Sequence, residues 1–492
     1  MDLRVALCYP SHYRVGMTGL TVQLLYAMLN AREDTVCERV FMEGRGYPFS
    51  LESRQPLSRF DVLAFSLQYE LDYLNALIML RDAGIPLRRG SRNAETPVLM
   101  AGGPAVTANP TVLSQFFDLF IIGEWEPISA RVVDYLKEAA SCRERLTSLR
   151  DVQGVYLPAL NQSVIQRSWV KDLDSCPHPT AQVIPKLEEG DAMSPIFGIC
   201  FSMEVLRSCD RGCRFCLASW IGRPKRERSL RKLDEILEDA RRHTPVSKVS
   251  LIGAGISDHS RLKEIPSLVH SKGFQMSIPS LRIESIDEDM ARAIVEGGQR
   301  TVSLAPEAGA PELRATIGKE LDDDRLLSVF QILHDSGVTR LKLYFMIGLP
   351  GEEERDITSI PILAERVLKI GFSEVALSIN PFIPKPHTPF QREPFADLDY
   401  LKRVLRMISS SKKTGRIRVE GTDPRYAQIQ AVLSLGDSEV GNVVELASLH
   451  GSGLGAWRRA FRDFGRSPRE ILDSQASKAD ILPWDFIDVS AM

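Results

Sequence analysis

Cys209, Cys213 and Cys216 stand in one short stretch, Cys209-Asp210-Arg211-Gly212-Cys213-Arg214-Phe215-Cys216, and supply three thiolates at C-x3-C-x2-C spacing. Structural metal sites close with four protein ligands, whereas catalytic sites keep one position for substrate. Thiolates at this density suit zinc or an iron–sulfur cluster, which ordinarily takes four cysteines. Three cysteines on a four-iron cluster leave one iron able to bind a small molecule. Gly212 lets the loop fold back without a Cβ clash. Arg207, Arg211 and Arg214 are expected to offset the thiolate charge and lower the thiol pKa values.

Two α/β runs must position this loop. Residues 1–165 alternate short apolar strands with helical periodicity, the pattern of an open parallel sheet covered by helices. Strands are predicted at Arg4–Tyr9, Val62–Leu67, Val98–Ala101 and Leu119–Ile122, with helices over Leu20–Asn30 and Asp72–Ala83. Glycines follow the later strands at Gly102-Gly103 and Gly123, where open α/β sheets bind ligands, although tight turns alone also use them. Residues 166–196 are proline-punctuated and read as a linker.

Six βα units fill residues 197–392, with strands at Met203–Arg207, Lys248–Ile252, Gln275–Ile278, Thr301–Leu304, Leu341–Ile347 and Glu374–Ile379. Six right-handed units curl into a partial (β/α)6 barrel whose chemistry belongs at the carboxyl ends of its strands. The cysteine loop follows the first of them. Residues 393–492 read as a small, mostly helical third domain, with helices over Leu398–Ser409, Pro424–Leu435, Glu439–Ser448 and Leu454–Phe464.

Composition narrows the class. A chain of 492 residues, 44% hydrophobic and 25% charged, is an ordinary globular protein of two to four domains. Cys8, Cys37, Cys142, Cys176 and Cys200 are scattered singly, which is not the spacing of a disulfide framework, so a reducing cytoplasm is expected. Residues 1–10 enter a strand-like run without the features of a secretory signal, and no apolar run approaches membrane-spanning length. A net charge of −3 excludes a wholly basic nucleic-acid-binding protein. Two local basic runs remain, Arg223–Lys232 and Lys402–Arg418, readable as phosphate contacts or as solvated helix faces.

The cysteine loop after the first strand of a six-unit βα run, with Phe215 before the last cysteine, resembles the radical SAM enzymes. In that family three cysteines hold a 4Fe-4S cluster whose open iron chelates S-adenosylmethionine, and one electron cleaves the sulfonium to a 5′-deoxyadenosyl radical. The resemblance implies Cys209, Cys213 and Cys216 as cluster ligands and an electron donor such as flavodoxin or ferredoxin. It also implies S-adenosylmethionine contacts from Phe215, from Gly253 and Gly255 after the second strand, and from Ser280 and Arg282 after the third. Ser303 and Glu307 are implied after the fourth strand and Gly348 after the fifth. Gly253-Ala254-Gly255 departs from the family's Gly-Gly-Glu. Asn380–Phe390, with four prolines, is similar to the segment that ends the radical domain in a subgroup fused to a cobalamin-binding-like domain, and His387 there is a candidate substrate contact.

Val98–Glu126 resembles the second half of such a cobalamin-binding domain, with Gly102, Gly103 and Gly123-Glu124 at matching strand ends. The D-x-H-x-x-G element that gives cobalt an imidazole is missing, because position 10 is proline and Gly16 falls one residue late after His12. The resemblance covers residues 1 to about 480. It implies a radical SAM enzyme transferring a methyl or related group to RNA, protein or a metabolite, with cobalamin as a further expected cofactor. Two other readings stay open: radical rearrangement, oxidation or sulfur insertion without cobalamin, and a non-catalytic iron–sulfur or zinc sensor that adds a ligand such as Cys200.

Overall fold

The computed structural model describes residues 2–44, 46, 48–141, 143–160, 162–187, 191–278, 281–410, 414–477 and 481–490. Cys142, Ser280, Lys412 and Lys413 lie outside the described residues. The first sheet is built from β1 (Leu3–Tyr9), β2 (Thr35–Phe41), β3 (Val62–Ser66), β4 (Val98–Gly102), β5 (Leu119–Ile121) and β6 (Val155–Tyr156). Their order is β2-β1-β3-β4-β5-β6, parallel except for β6, which runs antiparallel to β5. Successive side chains of β1 enter opposite cores, as a strand buried on both faces requires. Val5 and Leu7 join Val62, Ala64 and Met100 beneath the helices Leu20–Asn30 and Ser129–Ser141. Ala6 and Cys8 join Leu63, Phe65 and Leu99 beneath the helix Asp72–Asp82.

β2 escaped the sequence reading because Glu38 and Arg39 interrupt its apolar pattern. Both are buried by pairing: Arg39 Nε donates to Glu52 Oε1 at 2.7 Å, and Ser53 Oγ donates to Glu38 at 2.8 Å. Charge inside a strand is tolerated where it is satisfied.

β7 (Ile165–Gln166) leads to the second α/β unit, in which β8 (Phe201–Glu204) precedes a hairpin of β9 (Leu206–Arg207) and β10 (Arg226–Glu227). That antiparallel hairpin brackets the cysteine loop at both ends. β11 (Lys248–Ile252) and β12 (Gln275–Ser277) complete a parallel three-stranded sheet with β8. A parallel four-stranded sheet follows: β13 (Thr301–Glu307), β14 (Arg340–Ile347), β15 (Glu374–Pro381) and β16 (Ile417–Gly421). β14 alternates strictly, with Leu341, Leu343, Phe345 and Ile347 buried beneath the outer helices. Lys342, Tyr344 and Met346 are half-buried on its other face.

β16 is a seventh parallel strand in the segment expected to be helical. It is an edge strand with only Ile417 fully buried, so its charged alternation looked like loop. The helices Pro424–Leu435 and Val440–His450 then return to the first unit. Asn109, buried in the first unit, donates to the carbonyls of Ser434 at 3.1 Å and Gly436 at 2.8 Å. Finally β17 (Ile487–Asp488) pairs in parallel with β7, joining the end of the described chain to the start of the connecting strap.

Gly421 closes the β15–β16 edge at φ +157°, and a Cβ there would lie 1.8 Å from the Ile379 carbonyl oxygen. Gly421→Ala is expected to destabilise the protein by about 2 kcal/mol or more through that clash. Thermal or denaturant unfolding checks this, and an unchanged midpoint would contradict the seventh strand.

Candidate active site

The cysteine loop is pegged from several sides. Trp220 Nε1 donates to the Cys213 carbonyl at 3.0 Å, and the Arg214 N–H donates to the Ile317 carbonyl at 3.0 Å. The Phe390 N–H donates to the Arg214 carbonyl at 3.2 Å, and the Lys225 N–H donates to Asp210 Oδ1 at 2.9 Å. Segments that follow β13, β15 and β9 therefore all hold the same turn. Cys209 and Cys213 are buried and Cys216 is half-buried.

Burial pushes the Cys213 thiol up; Lys319 and Arg282 oppose the shift, while Cys216 and Cys209 add to it. The three thiols thus lie within electrostatic reach of one another. Among the described residues no three His, Cys, Asp or Glu side chains converge as ligands of a single ion do. A four-iron cluster needs no such convergence, since each iron takes its own thiolate. Cys200 is not brought to the loop. It precedes β8, with its thiol beside Ser250 and Lys248, about 13 Å of strand away from the loop end.

Of the arginines expected to tune the thiols, Arg211 acts on Cys209, while Arg207 and Arg214 make their close contacts with other groups. Arg207 pairs with Glu124 at 3.0 Å, Glu126 at 2.8 Å and Glu204 at 2.9 Å. Arg211 pairs with Asp258 at 2.8 Å, and Arg214 lies over the Phe390 ring at 4.7 Å from its centroid. The cations that act on Cys213 are Lys319 and Arg282, which lie 106 and 69 residues further along the chain and gave no local signal.

Most of the other expected site residues lie at strand ends around the loop. A Cβ on Gly255 would sit 3.3 Å from Cys209 Sγ, so this glycine backs directly onto the first thiol. Gly253 packs on Leu206 instead. Arg282 reaches Asp258 at 3.6 Å and Glu284 at 2.9 Å; Asp258 Oδ2 itself lies 3.7 Å from Cys209 Sγ. Ser303 and Glu307 share the half-buried face of β13, and Glu307 pairs with Lys319 at 3.1 Å. Phe215 packs with Ala308, Leu313, Leu349 and Phe390. Gly348 lies beyond β14 with its N–H donating to Glu352 Oε1 at 2.8 Å, and its Cα faces Ala396 and Leu401. Asp258 and Lys319 were missed by the sequence reading.

The carboxyl ends of β1, β3, β4 and β5 and those of β8 and β11 open onto one cavity of about 590 Å³. Leu20, Gly102, Gly103 and Gly123 line it from the first unit; Ala218 and Ala254 line it from the second. Gly103 adopts φ +113°, where a Cβ would meet the Leu67 carbonyl oxygen at 2.4 Å. Only glycine keeps that wall flat. Glu124, Glu126, Glu204 and Arg207 form a charged margin of the same cavity. Burial works against a charged Arg207, but Glu204, Glu126 and Glu124 hold it firmly protonated. His12 is 62% exposed beside Glu43 and does not line the cavity.

His387 Nε2 lies 3.0 Å from the Ala108 carbonyl, and burial lowers its pKa to about 4. The neutral ring donates that bond and ties the proline-rich segment to the first unit. The first basic run divides: Arg231 stays on a solvated helix face beside Glu235, and three others are paired within the chain. Arg226 pairs with Glu124 at 2.9 Å, Arg228 with Glu204 at 3.3 Å, and Lys225 donates to the Asp258 carbonyl at 2.6 Å.

Residues 203–360 match the radical SAM superfamily, and residues 21–158 match the N-terminal region of radical SAM proteins. The chain belongs to the radical SAM superfamily, in the subgroup with an N-terminal cobalamin-binding-like domain, and is a radical SAM enzyme. An uncharacterized protein of Methanocaldococcus jannaschii is 32% identical over 445 residues, covering 90% of this chain and 91% of that one. The solved structure of TsrM from Kitasatospora setae, a radical S-adenosylmethionine methyltransferase with cobalamin and a 4Fe-4S cluster bound, superposes with a TM-score of 0.55 at 12% identity. It covers 94% of this chain and 100% of that one. OxsB, a cobalamin-dependent S-adenosylmethionine radical enzyme, gives 0.50 at 11% identity, covering 94% of this chain and 70% of that one. At these identities the two structures share the fold.

Arg207→Met would strand Glu126 and take one of two cations from Glu124 and from Glu204, which keep Arg226 and Arg228. Removing one partner from a buried ionic group is expected to lower stability by about 3–5 kcal/mol. Denaturant unfolding measures it; a loss below about 1 kcal/mol would place the three carboxylates in solvent.

Proposed function

We propose that this radical SAM enzyme transfers a methyl or related group, with a 4Fe-4S cluster on Cys209, Cys213 and Cys216 and a corrinoid in the cavity between the two sheets. The observation that carries the proposal is the single cavity onto which the ligand-binding ends of both sheets open. When bound, these groups supply the electron that breaks a carbon–sulfur bond of S-adenosylmethionine and the carrier for the transferred group.

The chain's own residues divide the remaining work. Three buried or half-buried thiols of one loop form a donor set for a cluster with one open position. Arg282 and Lys319, the cations that favour the Cys213 thiolate, would meet the carboxylate of S-adenosylmethionine, exchanging for it their present pairs with Glu284 and Glu307. Phe215 and its apolar neighbours exclude water beside the loop. Gly102, Gly103 and Gly123 offer a wall without side chains to a flat macrocycle, and Leu20, Ala218 and Ala254 give it apolar contact. His12 turns out to Glu43, outside the cavity lining, so this histidine would offer a corrinoid held there no imidazole.

An electron donor such as flavodoxin or ferredoxin completes the reaction, and RNA, protein or a metabolite is the acceptor class. No helix among the described residues is long and apolar enough to cross a membrane. We assign the enzyme to the reducing cytoplasm, on the cysteines that are free among the described residues and the oxygen-sensitive cluster the loop would hold.

Anaerobic reconstitution with iron and sulfide is expected to give a four-iron spectrum and, with reductant, 5′-deoxyadenosine and methionine from S-adenosylmethionine. Cys213→Ala is expected to abolish both, and stoichiometric zinc without cleavage would refute the enzyme reading. Protein supplied with hydroxocobalamin is expected to keep corrinoid absorbance after desalting; its loss removes the corrinoid and leaves rearrangement, oxidation or sulfur insertion.

A further inference from the structure

A groove of about 720 Å³ lies between the helix Leu454–Phe464, the turn that follows it, and the start of the helix Pro424–Leu435. Arg425, Arg458, Arg462 and Arg466 line it, and no Asp or Glu does. In a chain of net charge −3 this is a local concentration of one sign. Arg458 and Arg462 are four residues apart on one helix, so their charges repeat along one face at intervals of about 6 Å. Arg466 continues the row just past Gly465, where the helix ends at φ +81°.

These guanidinium groups are available. Arg458 makes no hydrogen bond or ion pair among the described residues. Arg425 and Arg462 are 56% and 73% exposed; Asp463 pairs with Arg462 at the surface, where such pairs hold weakly, and Arg425 is held by both oxygens of half-buried Asp423, which fixes its direction. Arg466 donates to the Glu470 carbonyl at 3.3 Å and to Ser474 Oγ at 2.6 Å, which fixes its direction without neutralising it. Glu470 accepts from Ser467 and does not line the groove.

The shape selects among anions. A single phosphate is held by donors that converge, whereas a row of arginines fits an anion repeated along a polymer. Leu454 and Pro468, half-buried, give the groove its accessible apolar surface over the buried Trp457, Phe461 and Ile429, and Gln428 and Ser467 add polar groups at its edge. Position points the same way. Arg425 follows Gly421, the carboxyl end of β16, by four residues, at most about 14 Å of chain. Thr422 in that turn donates to Asn380 Oδ1 at the end of β15 at 2.9 Å, so the groove leads away from the same end of the sheet that carries the site residues.

We propose that this groove holds the phosphodiester backbone of a single-stranded RNA segment and delivers a neighbouring nucleotide to the barrel mouth. The proposal rests on the radical SAM reading and names the substrate class of that site.

The test uses full-length reconstituted protein and a fluorescein-labelled single-stranded RNA of about 20 nucleotides, read by fluorescence anisotropy. Binding is expected to weaken with salt at a log–log slope of about −2 to −3, the value for three or four phosphates on a single strand. The double variant Arg458→Glu/Arg462→Glu is expected to bind at least about tenfold more weakly, with melting temperature and iron content showing that it is folded. The milder Arg458→Gln is expected to reduce the slope by about 0.7. Absence of binding, equal affinity for DNA of the same sequence, an unchanged double variant, or preference for a phosphoserine peptide would each overturn the proposal. S-Adenosylmethionine cleavage is measured on the same wild-type preparation: a protein that cleaves but ignores RNA loses this inference alone, and one that cleaves nothing loses the enzyme reading.

Discussion

The guanidinium of Arg207 sits among Glu124, Glu126 and Glu204, and the relation of the two α/β units depends on it. Each carboxylate is nearly buried, so none is stable without a cation, and one arginine fork is the common partner. Arg207 lies two residues before Cys209, while Glu124 and Glu126 belong to the glycine turn after β5. The same Glu124 also receives Arg226 from β10, so both strands of the hairpin that brackets the cysteine loop are anchored to the first unit. A shift of the first sheet is therefore transmitted to the loop by paired charges as well as by packing.

That constraint explains why the cavity has the walls it has. The carboxyl ends of the two sheets are held face to face, apolar and glycine-rich at the centre and ionic at the margin. Helices from the last hundred residues reinforce the arrangement through Asn109, whose amide satisfies two carbonyls at the end of Pro424–Leu435, and through Arg88, which reaches Asn442 at 2.8 Å. The strand that leads into the cysteine loop and the carboxyl ends of the first sheet are thus neighbours in space, although more than 80 residues separate Glu124 from Arg207. The arginine groove is a different surface, formed by the helical segment at the far edge of the four-stranded sheet.

What was legible in the sequence follows the range of the interactions. The C-x3-C-x2-C spacing is local, and strands such as β11 and β14 carry their own apolar pattern, so loop and barrel were both readable. The helix Leu20–Asn30 fell where periodicity placed it, and the helix Asp323–Asp335 carries its own N-cap, Asp322 accepting from the Arg325 N–H at 2.7 Å. β2 and β16 were missed because their charged residues are satisfied by partners distant in sequence or by the solvent edge. The same range limit inverted the role of Arg207. Neighbouring cysteines suggested a thiolate partner, while its carboxylates come mostly from another unit, and the cations that act on Cys213 enter from Lys319 and Arg282.

The central claim is that three thiolates of one loop leave an iron free for S-adenosylmethionine. Electron–nuclear double resonance on the reduced, reconstituted protein with S-adenosylmethionine labelled by nitrogen-15 in its amino group and oxygen-17 in its carboxylate tests it directly. The account requires hyperfine coupling from both labels to the cluster. A cluster signal that shows neither coupling, with S-adenosylmethionine present in excess, would contradict it.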